Sequence, residues 1–449
     1  MPRLPLAHRP WTPARPPAWA PAWAMLFAAL LGCAGVGPSP QAQAQDTAAA
    51  PSPGAQAEPK RLLMHYMPWY QTPDVTGYWG GHWTGWAAGH NPEQIDAQGK
   101  PDIWSHYHPL IGTYDSSDPD VLECHLLQMK LAGVDGVIVD WYGIGQAADY
   151  PPNQVASVAL FEACAKLGLE FSVCYEDRTV EQMIREGEIT PDAVAAHLTE
   201  TFQWLEEHWF SAEHYTRVEG RPLLLNFGPI FVSDPAHWRT AFDALQDKPL
   251  FFALHHLWRD IGADGGFAWV HYDAWKDART EAQVVANLQG VFDRTSKDPT
   301  RVIPSAVPGF KDVYKNPHPR LPHRNGQTLR ETLRAAMAGD SPLVQLVTWN
   351  DYGEGTIFEP THEFGYLFLE ILQDARRAEL GPSFAYTHAD LRLPARLLEL
   401  RRAGNAPAER LDHISALLRD GQVDAARAAL DALAPVAPVG PVGADPATP

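Results

Sequence analysis

The sequence predicts an α/β fold, a (β/α)8 TIM-type barrel somewhat irregular around its fifth and sixth strands, with a short C-terminal helical appendage. From Arg61 onward, short apolar runs alternate with longer helix-patterned segments, the mark of parallel βα units. Several runs (VIV, LLLNF, FFAL, VQLV) are continuously hydrophobic, as strands covered on both faces are. The number of such units before residue 380 suits a closed barrel better than an open doubly wound sheet.

The strands are expected at Leu62 to Trp69, Gly136 to Trp141, Glu170 to Tyr175, Pro222 to Phe227, Leu250 to His255, Phe267 to Tyr272, Arg301 to Ala306 and Leu343 to Trp349. Between the first two, Pro119 to Ala132 reads as a helix, with Ser117 and Asp118 as capping candidates and Gly133 as its stop. Glu281 to Arg294 carries apolar residues at helical spacing. The stretch between His255 and Phe267 contains Gly262, Gly265 and Gly266 and leaves little room for a helix, so the barrel is expected to be deformed there. Ala408 to Leu418 and Val423 to Leu433 look like two amphipathic helices joined at Asp420-Gly421. They are too few for a repeat array, which needs about three repeats.

The chain divides accordingly into a leader (1–45), a flexible linker (46–60), the barrel (61–380), a helical extension (381–434) and a disordered Pro/Ala-rich tail (435–449). In the leader, Arg3, Arg9 and Arg15 precede an apolar run from Ala22 to Leu31, the pattern of an export signal. That run is far short of the ~20 residues needed to span a bilayer. Leu30-Leu31-Gly32-Cys33 resembles a lipobox, which would tether the protein to a membrane through a lipidated Cys33. Cleavage after Ala42-Gln43-Ala44 is the competing outcome, so both a cell-surface lipoprotein and a free periplasmic or secreted form are open. Cys124, Cys164 and Cys174 show no C-x-x-C spacing, which argues against a thiolate zinc site. Buried free thiols are expected, with a Cys164–Cys174 pair as the alternative.

Composition narrows the function. Lys and Arg number 35 against 54 Asp and Glu, a net charge of −19, which disfavours a nucleic-acid partner. With 45% hydrophobic and 20% charged residues the chain has material for a large core. Of its 16 Trp, Trp69, Trp79, Trp83, Trp86, Trp104 and Trp141 fall in one early stretch, a density that points to stacking surfaces.

In a barrel, chemistry collects at the carboxyl ends of the strands. The strand ends here are rich in polar, aromatic and acidic groups: His65, Tyr66, Trp69 and Tyr70; Asp140, Trp141 and Tyr142; Tyr175, Glu176 and Asp177; Asn226; His255 and His256; Phe310; and Trp349, Asn350, Asp351 and Glu354. Such groups suit a sugar site, where amides and carboxylates bond hydroxyls and rings stack on apolar pyranose faces. Trp79, Trp83 and Trp86 occupy a Gly-rich loop, Gly77 to Gly89, able to fold over a substrate.

Glycoside hydrolysis ordinarily uses two carboxyl groups. Asp351 and Glu354 supply a pair, and Gly353 between them permits a tight turn that sets both on one wall. The bland reading is that Asp351 caps a turn and Glu354 the following helix. His106-Tyr107-His108 and His255-His256 invite a metal hypothesis. However, the first pair lies in a polar loop, and adjacent strand residues face opposite sides.

The segment Val344 to Thr356 resembles the signature of glycoside hydrolase families 71 and 99. His65 to Tyr70, His108 to Tyr114 and Ala132 to Gly143 are similar to the family 99 side of that pair. The likeness covers roughly residues 60 to 378. It implies an exported barrel hydrolase that cuts α-linked mannose- or glucose-containing glycans, usually endo, with no cofactor or metal required. It implies Glu354 as general acid/base. Asp351 stands where family 99 carries Glu, proposed there to deprotonate the sugar's 2-hydroxyl, and where family 71 carries Asp, suited to activating water. Retaining and inverting outcomes both stay open. The resemblance leaves two competitors: a glycan-binding barrel lipoprotein that has lost turnover and, more distantly, a metal-dependent hydrolase of another bond.

Overall fold

The structure is a computed structural model that describes residues 58–270, 283, 301–314 and 320–433. The leader with Cys33, most of the linker, nearly all of Glu281 to Arg294 and the 435–449 tail lie outside the described residues. Among the described residues, no helix is long and apolar enough to cross a membrane.

Strands form at or beside all eight expected positions, the sixth earlier than expected: it shares only Phe267 with the Phe267 to Tyr272 reading, whose last two residues lie outside the described residues. The strands are β1 (Arg61–Tyr66), β2 (Gly136–Trp141), β3 (Glu170–Tyr175), β4 (Arg221–Asn226), β5 (Leu250–Leu254), β6 (Gly265–Phe267), β7 (Val302–Ile303 with Ser305–Ala306) and β8 (Leu343–Leu346). Each pairs in parallel with its sequence neighbours, and β8 pairs with β1. Closure runs through Pro304, which has no N–H to give to a ladder. On one side of it Val302 and Ile303 pair with β6, and on the other Ser305 and Ala306 pair with β8. The seventh strand therefore changes partner at the proline, and the eight strands join into a barrel.

Among the described residues the longer helices are α1 (Pro119–Ala132), α2 (Tyr150–Leu167), α3 (Thr179–Glu186), α4 (Val194–Leu205), α5 (Pro235–Asp243), α6 (Gln327–Ala338) and α7 (Leu367–Leu380). Three more follow: α8 (Leu393–Ala403), α9 (Ala408–Arg419) and α10 (Val423–Asp431). The Asp118 carboxylate accepts the Asp120 N–H at the start of α1, and Gly133 ends that helix at φ 87°, where a side chain would be strained. The link from β5 to β6 contains turns and no helix, the irregularity expected from its length. Sequence reading missed α8, which packs against α1 and α9, so the C-terminal extension is three helices rather than two.

Alternation along the strands sorts side chains into two cores. Val137, Val139, Trp141, Phe171, Val173 and Tyr175 pack outward under the helices. Leu63, Ile138, Cys174, Leu225 and Phe252 fill the lumen. A third, aromatic cluster of Trp69, Tyr70, Trp83, Tyr114, Tyr142 and Tyr352 lies in the loops. Several expected strand ends shorten: β1 stops at Tyr66 rather than Trp69 and β8 at Leu346 rather than Trp349, while β4 and β5 each end one residue early, at Asn226 and Leu254.

Candidate active site

Strand parity decides which strand-end side chains face the cavity. His65 and Asp140 share the lumen face with Cys174. Tyr66, Trp141 and Trp349, one residue out of phase, belong to the outer core and are wholly buried there. The Trp141 ring lies 5.7 Å from Trp204 and the Trp349 ring 5.2 Å from His125, which sits on α1. These three are packing residues and do not present faces to a sugar, contrary to the expectation from sequence. Trp83 is likewise interior, its Nε1 donating to the Tyr114 carbonyl at 2.9 Å.

After β8 the chain forms a short hairpin, Asn350–Asp351 against Thr356–Ile357, around Tyr352 to Gly355. Asn350 fastens it to the end of β1. Its Oδ1 accepts the Met67 N–H at 2.8 Å, while its Nδ2 donates to the Met67 carbonyl at 3.0 Å and to the Tyr114 hydroxyl at 3.1 Å. The amide is thus fully employed in structure and is not the free sugar contact expected of it. Tyr70 serves the same end: its hydroxyl donates to the Asn350 carbonyl at 2.8 Å and accepts the Tyr352 N–H at 3.2 Å.

The tight turn is made differently from the sequence expectation. The glycine in the left-handed region is Gly355, at φ 66°. Gly353 is required for space instead, because a Cβ there would stand 2.1 Å from the Tyr314 hydroxyl. Asp351 Oδ1 accepts the Glu354 N–H at 2.9 Å, so Asp351 does cap the turn. No helix begins until α7, which removes the reading of Glu354 as a helix cap.

Carboxyl groups converge on this wall. Asp351 is buried, and burial pushes its carboxyl up to about 7; the N–H of Glu354 restrains the rise, and Asp312 adds to it. Burial and then Asp351 drive Asp140 well above the carboxylate range. Glu176 is raised well above it too, by burial and then by Asp140, Asp177 and Glu354 among its neighbours. Neighbouring Asp177 is employed differently: its carboxylate accepts the N–H groups of Ile230, Phe231 and Val232 and pins the loop after β4. Glu176 and Tyr142 line a cavity with Tyr150, Arg178 and Gln182. The Tyr142 hydroxyl is buried there with no hydrogen-bond partner.

Around the carboxyls runs an aromatic wall. Trp69 stacks on His82 at 4.2 Å, His82 meets Trp86 at 4.7 Å, Trp86 meets Trp104 at 5.6 Å, and Trp104 meets Tyr314 at 4.8 Å. Trp79 is half-buried further out, with its Nε1 3.4 Å from Glu93. Asn226, in phase with the outward Tyr175, sits beside Asp177 instead of over the lumen. His255 follows β5 with its ring 5.2 Å from His256, and Phe310 is buried in a two-residue pairing with Leu321. His108 is tied to Glu363 at 3.0 Å. Sequence reading passed over Trp269, which lies edge-on to His65 at 4.7 Å and to Phe227 at 4.8 Å. It also passed over Tyr314, whose loop has no periodic signal. Cys124, Cys164 and Cys174 are buried free thiols, so the Cys164–Cys174 pair does not form.

Behind the hairpin lies a buried polar network. Glu359 accepts from the Tyr114 hydroxyl at 2.8 Å and from the Tyr352 hydroxyl at 2.9 Å. His125 Nε2 stands 3.2 Å from its other oxygen, and His125 Nδ1 stands 3.0 Å from the Tyr66 hydroxyl. With Nε2–H donating to Glu359, Nδ1 is left to accept from Tyr66. Satisfied groups of this kind hold a hairpin in one geometry.

Comparison with known proteins gives a consistent picture. The family model described as Glycosyl hydrolase family 99 matches residues 59–243, which covers β1 to β4 and ends before the hairpin. A glycoprotein endo-alpha-1,2-mannosidase of Xenopus laevis is 29% identical over 337 residues, spanning 66% of this chain and 69% of the relative. A glycoprotein endo-alpha-1,2-mannosidase-like protein of Danio rerio is 24% identical over 336 residues, covering 66% and 70%. The fold is shared with the GH99 endo-alpha-mannosidase from Bacteroides thetaiotaomicron, at a TM-score of 0.52 and 19% identity over 71% of this chain and 98% of that one. From the barrel and these relatives together, the chain is a glycoside hydrolase similar to family 99, with the likeness to that family's model falling within residues 59–243.

Proposed function

We propose that this hydrolase cleaves α-linked mannose- or glucose-containing glycans internally, with Glu354 as general acid/base and Asp351 as base. The observation that carries the reading is the hairpin itself. One short turn holds two carboxyl side chains, the first bonded to the N–H of the second at 2.9 Å, beside an aromatic wall. Glu354 protonates the glycosidic oxygen as the bond breaks. Asp351, pushed up to about 7, is a base strong enough to take a proton from the sugar's 2-hydroxyl or from water. The half-buried Trp79, Trp86 and Trp104 offer faces for stacking, and Glu176 and Tyr142 offer hydroxyl contacts. The relatives named as endo-alpha-1,2-mannosidases favour α-mannan as the first substrate.

The export pattern of the leader supports an exported enzyme, either free or tethered through Cys33. Metabolic labelling with a fatty acid, lost in Cys33→Ala, tests the tether.

The activity is tested by incubating the full chain with α-mannans and α-glucans and measuring new reducing ends beside Glu354→Gln, with the product anomer read by NMR. Release that is absent from every α-glycan, or unchanged in Glu354→Gln, removes this assignment.

A further inference from the structure

The lumen of a (β/α)8 barrel is ordinarily filled by branched apolar side chains. Here three adjacent strands instead send a histidine, an aspartate and a cysteine to one spot. Asp140 of β2 is directly paired with Cys174 of β3, and on β1 His65 pairs with Ile138, two residues before Asp140. All three point inward, and one ligand atom from each lies within 4.8 Å of the others. Each side chain is almost completely buried.

The histidine marks the cluster as something other than packing. Both His65 ring nitrogens are buried without a hydrogen-bond partner, and the nearest ring is the edge of Trp269. A buried imidazole normally bonds through at least one nitrogen, and leaving both unmet is a desolvation cost that nothing in the fold offsets.

We propose that His65, Asp140 and Cys174 form a binding site for a single divalent metal ion of the zinc class. Imidazole nitrogen, carboxylate oxygen and thiolate sulfur are the three donor types zinc takes, at about 2.0–2.3 Å. In a tetrahedron of such bonds the donors stand about 3.5 Å apart, so the present spacing of up to 4.8 Å closes by roughly 1.3 Å or less on binding. Thiolate favours zinc over magnesium or calcium. Charge also balances, since a dication meets one carboxylate and one thiolate.

Zinc takes the thiol as thiolate and the carboxyl as carboxylate, so any proton either group carries leaves for solvent on binding, while the imidazole ligates through a neutral nitrogen. The fourth position takes a water molecule or a hydroxyl.

This goes beyond the glycosidase reading and does not depend on it, because its readouts are metal content and a spectrum. The full chain is stripped with a chelator and titrated with Zn2+ against a chromophoric competitor, and separately with Co2+. One equivalent is expected per chain, with a thiolate-to-cobalt charge-transfer band, a rise in Tm on adding Zn2+, and affinity roughly 100-fold weaker or worse in Cys174→Ser and His65→Ala. Cobalt uptake by wild type with no thiolate band overturns the site, as does zinc affinity unchanged in Cys174→Ser. The wild-type spectrum decides the matter even if a variant fails to fold.

Discussion

Asp351 accepts the backbone N–H of Glu354 at 2.9 Å, so the two carboxyl groups of the site are parts of one turn. The bond does two things. It fixes the direction in which Glu354 leaves the chain, and it partly offsets the cost of ionising a buried Asp351. In the role proposed for it, Asp351 is held in place by the residue it works beside.

The first consequence concerns stability. A folded-state carboxyl raised from the ordinary Asp range to about 7 binds protons more tightly than in the unfolded chain. Its contribution to stability is therefore greatest below about pH 4 and falls as pH rises towards 7. Asp351→Asn removes that penalty and keeps an oxygen for the Glu354 N–H. Its Tm relative to wild type is expected to rise between pH 4 and pH 8, which melting curves across that range measure.

The same shift predicts the pH profile. As a base, Asp351 must be ionised in the free enzyme, so kcat/KM is expected to climb with an apparent pKa near 7. A rising limb near pH 4 would mean that some other carboxyl controls the rate.

Glu354→Gln keeps the shape of the side chain and removes its proton. Turnover of an α-mannan is expected to fall about 10²- to 10⁴-fold while the circular dichroism spectrum and Tm stay close to wild type.

Asn350→Ala separates the hairpin from β1. It leaves the Met67 N–H and carbonyl unmet in a buried setting, at about 1–3 kcal/mol each. Urea unfolding should show a lower midpoint with an unchanged slope, and activity should fall with it.

Gly353→Ala tests the approach of Tyr314, whose hydroxyl would stand 2.1 Å from the new Cβ. The variant is expected to be destabilised, and the double change with Tyr314→Ala should cost less than the sum of the two single ones. Strict additivity would show that the contact is not what excludes a side chain at this position.

Much of this was legible in residue order. Apolar runs bounded by turn residues located strands at or beside all eight positions, and Asp118 with Gly133 bounded α1, because those signals are local. The gap without a helix between β5 and β6 followed from counting residues. The terminal carboxyl pair stood out through its aromatic neighbours. The aromatic inventory was less reliable, since Tyr66, Trp141 and Trp349 read as sugar-facing and pack outward instead.

The reason is parity and distance. A strand's alternation fixes that Asp140 and Trp141 face opposite ways, but which face is the lumen depends on how the sheet curls, and that is settled by every strand together. Asn350 meets Met67 across 283 positions of chain, and Tyr314 fills the space at Gly353 from a loop with no periodicity. His65, Asp140 and Cys174 are far apart in sequence and become neighbours only because β1, β2 and β3 lie side by side. Local pattern sets the elements because backbone geometry is local. The site is assembled by contacts whose partners no window of sequence contains.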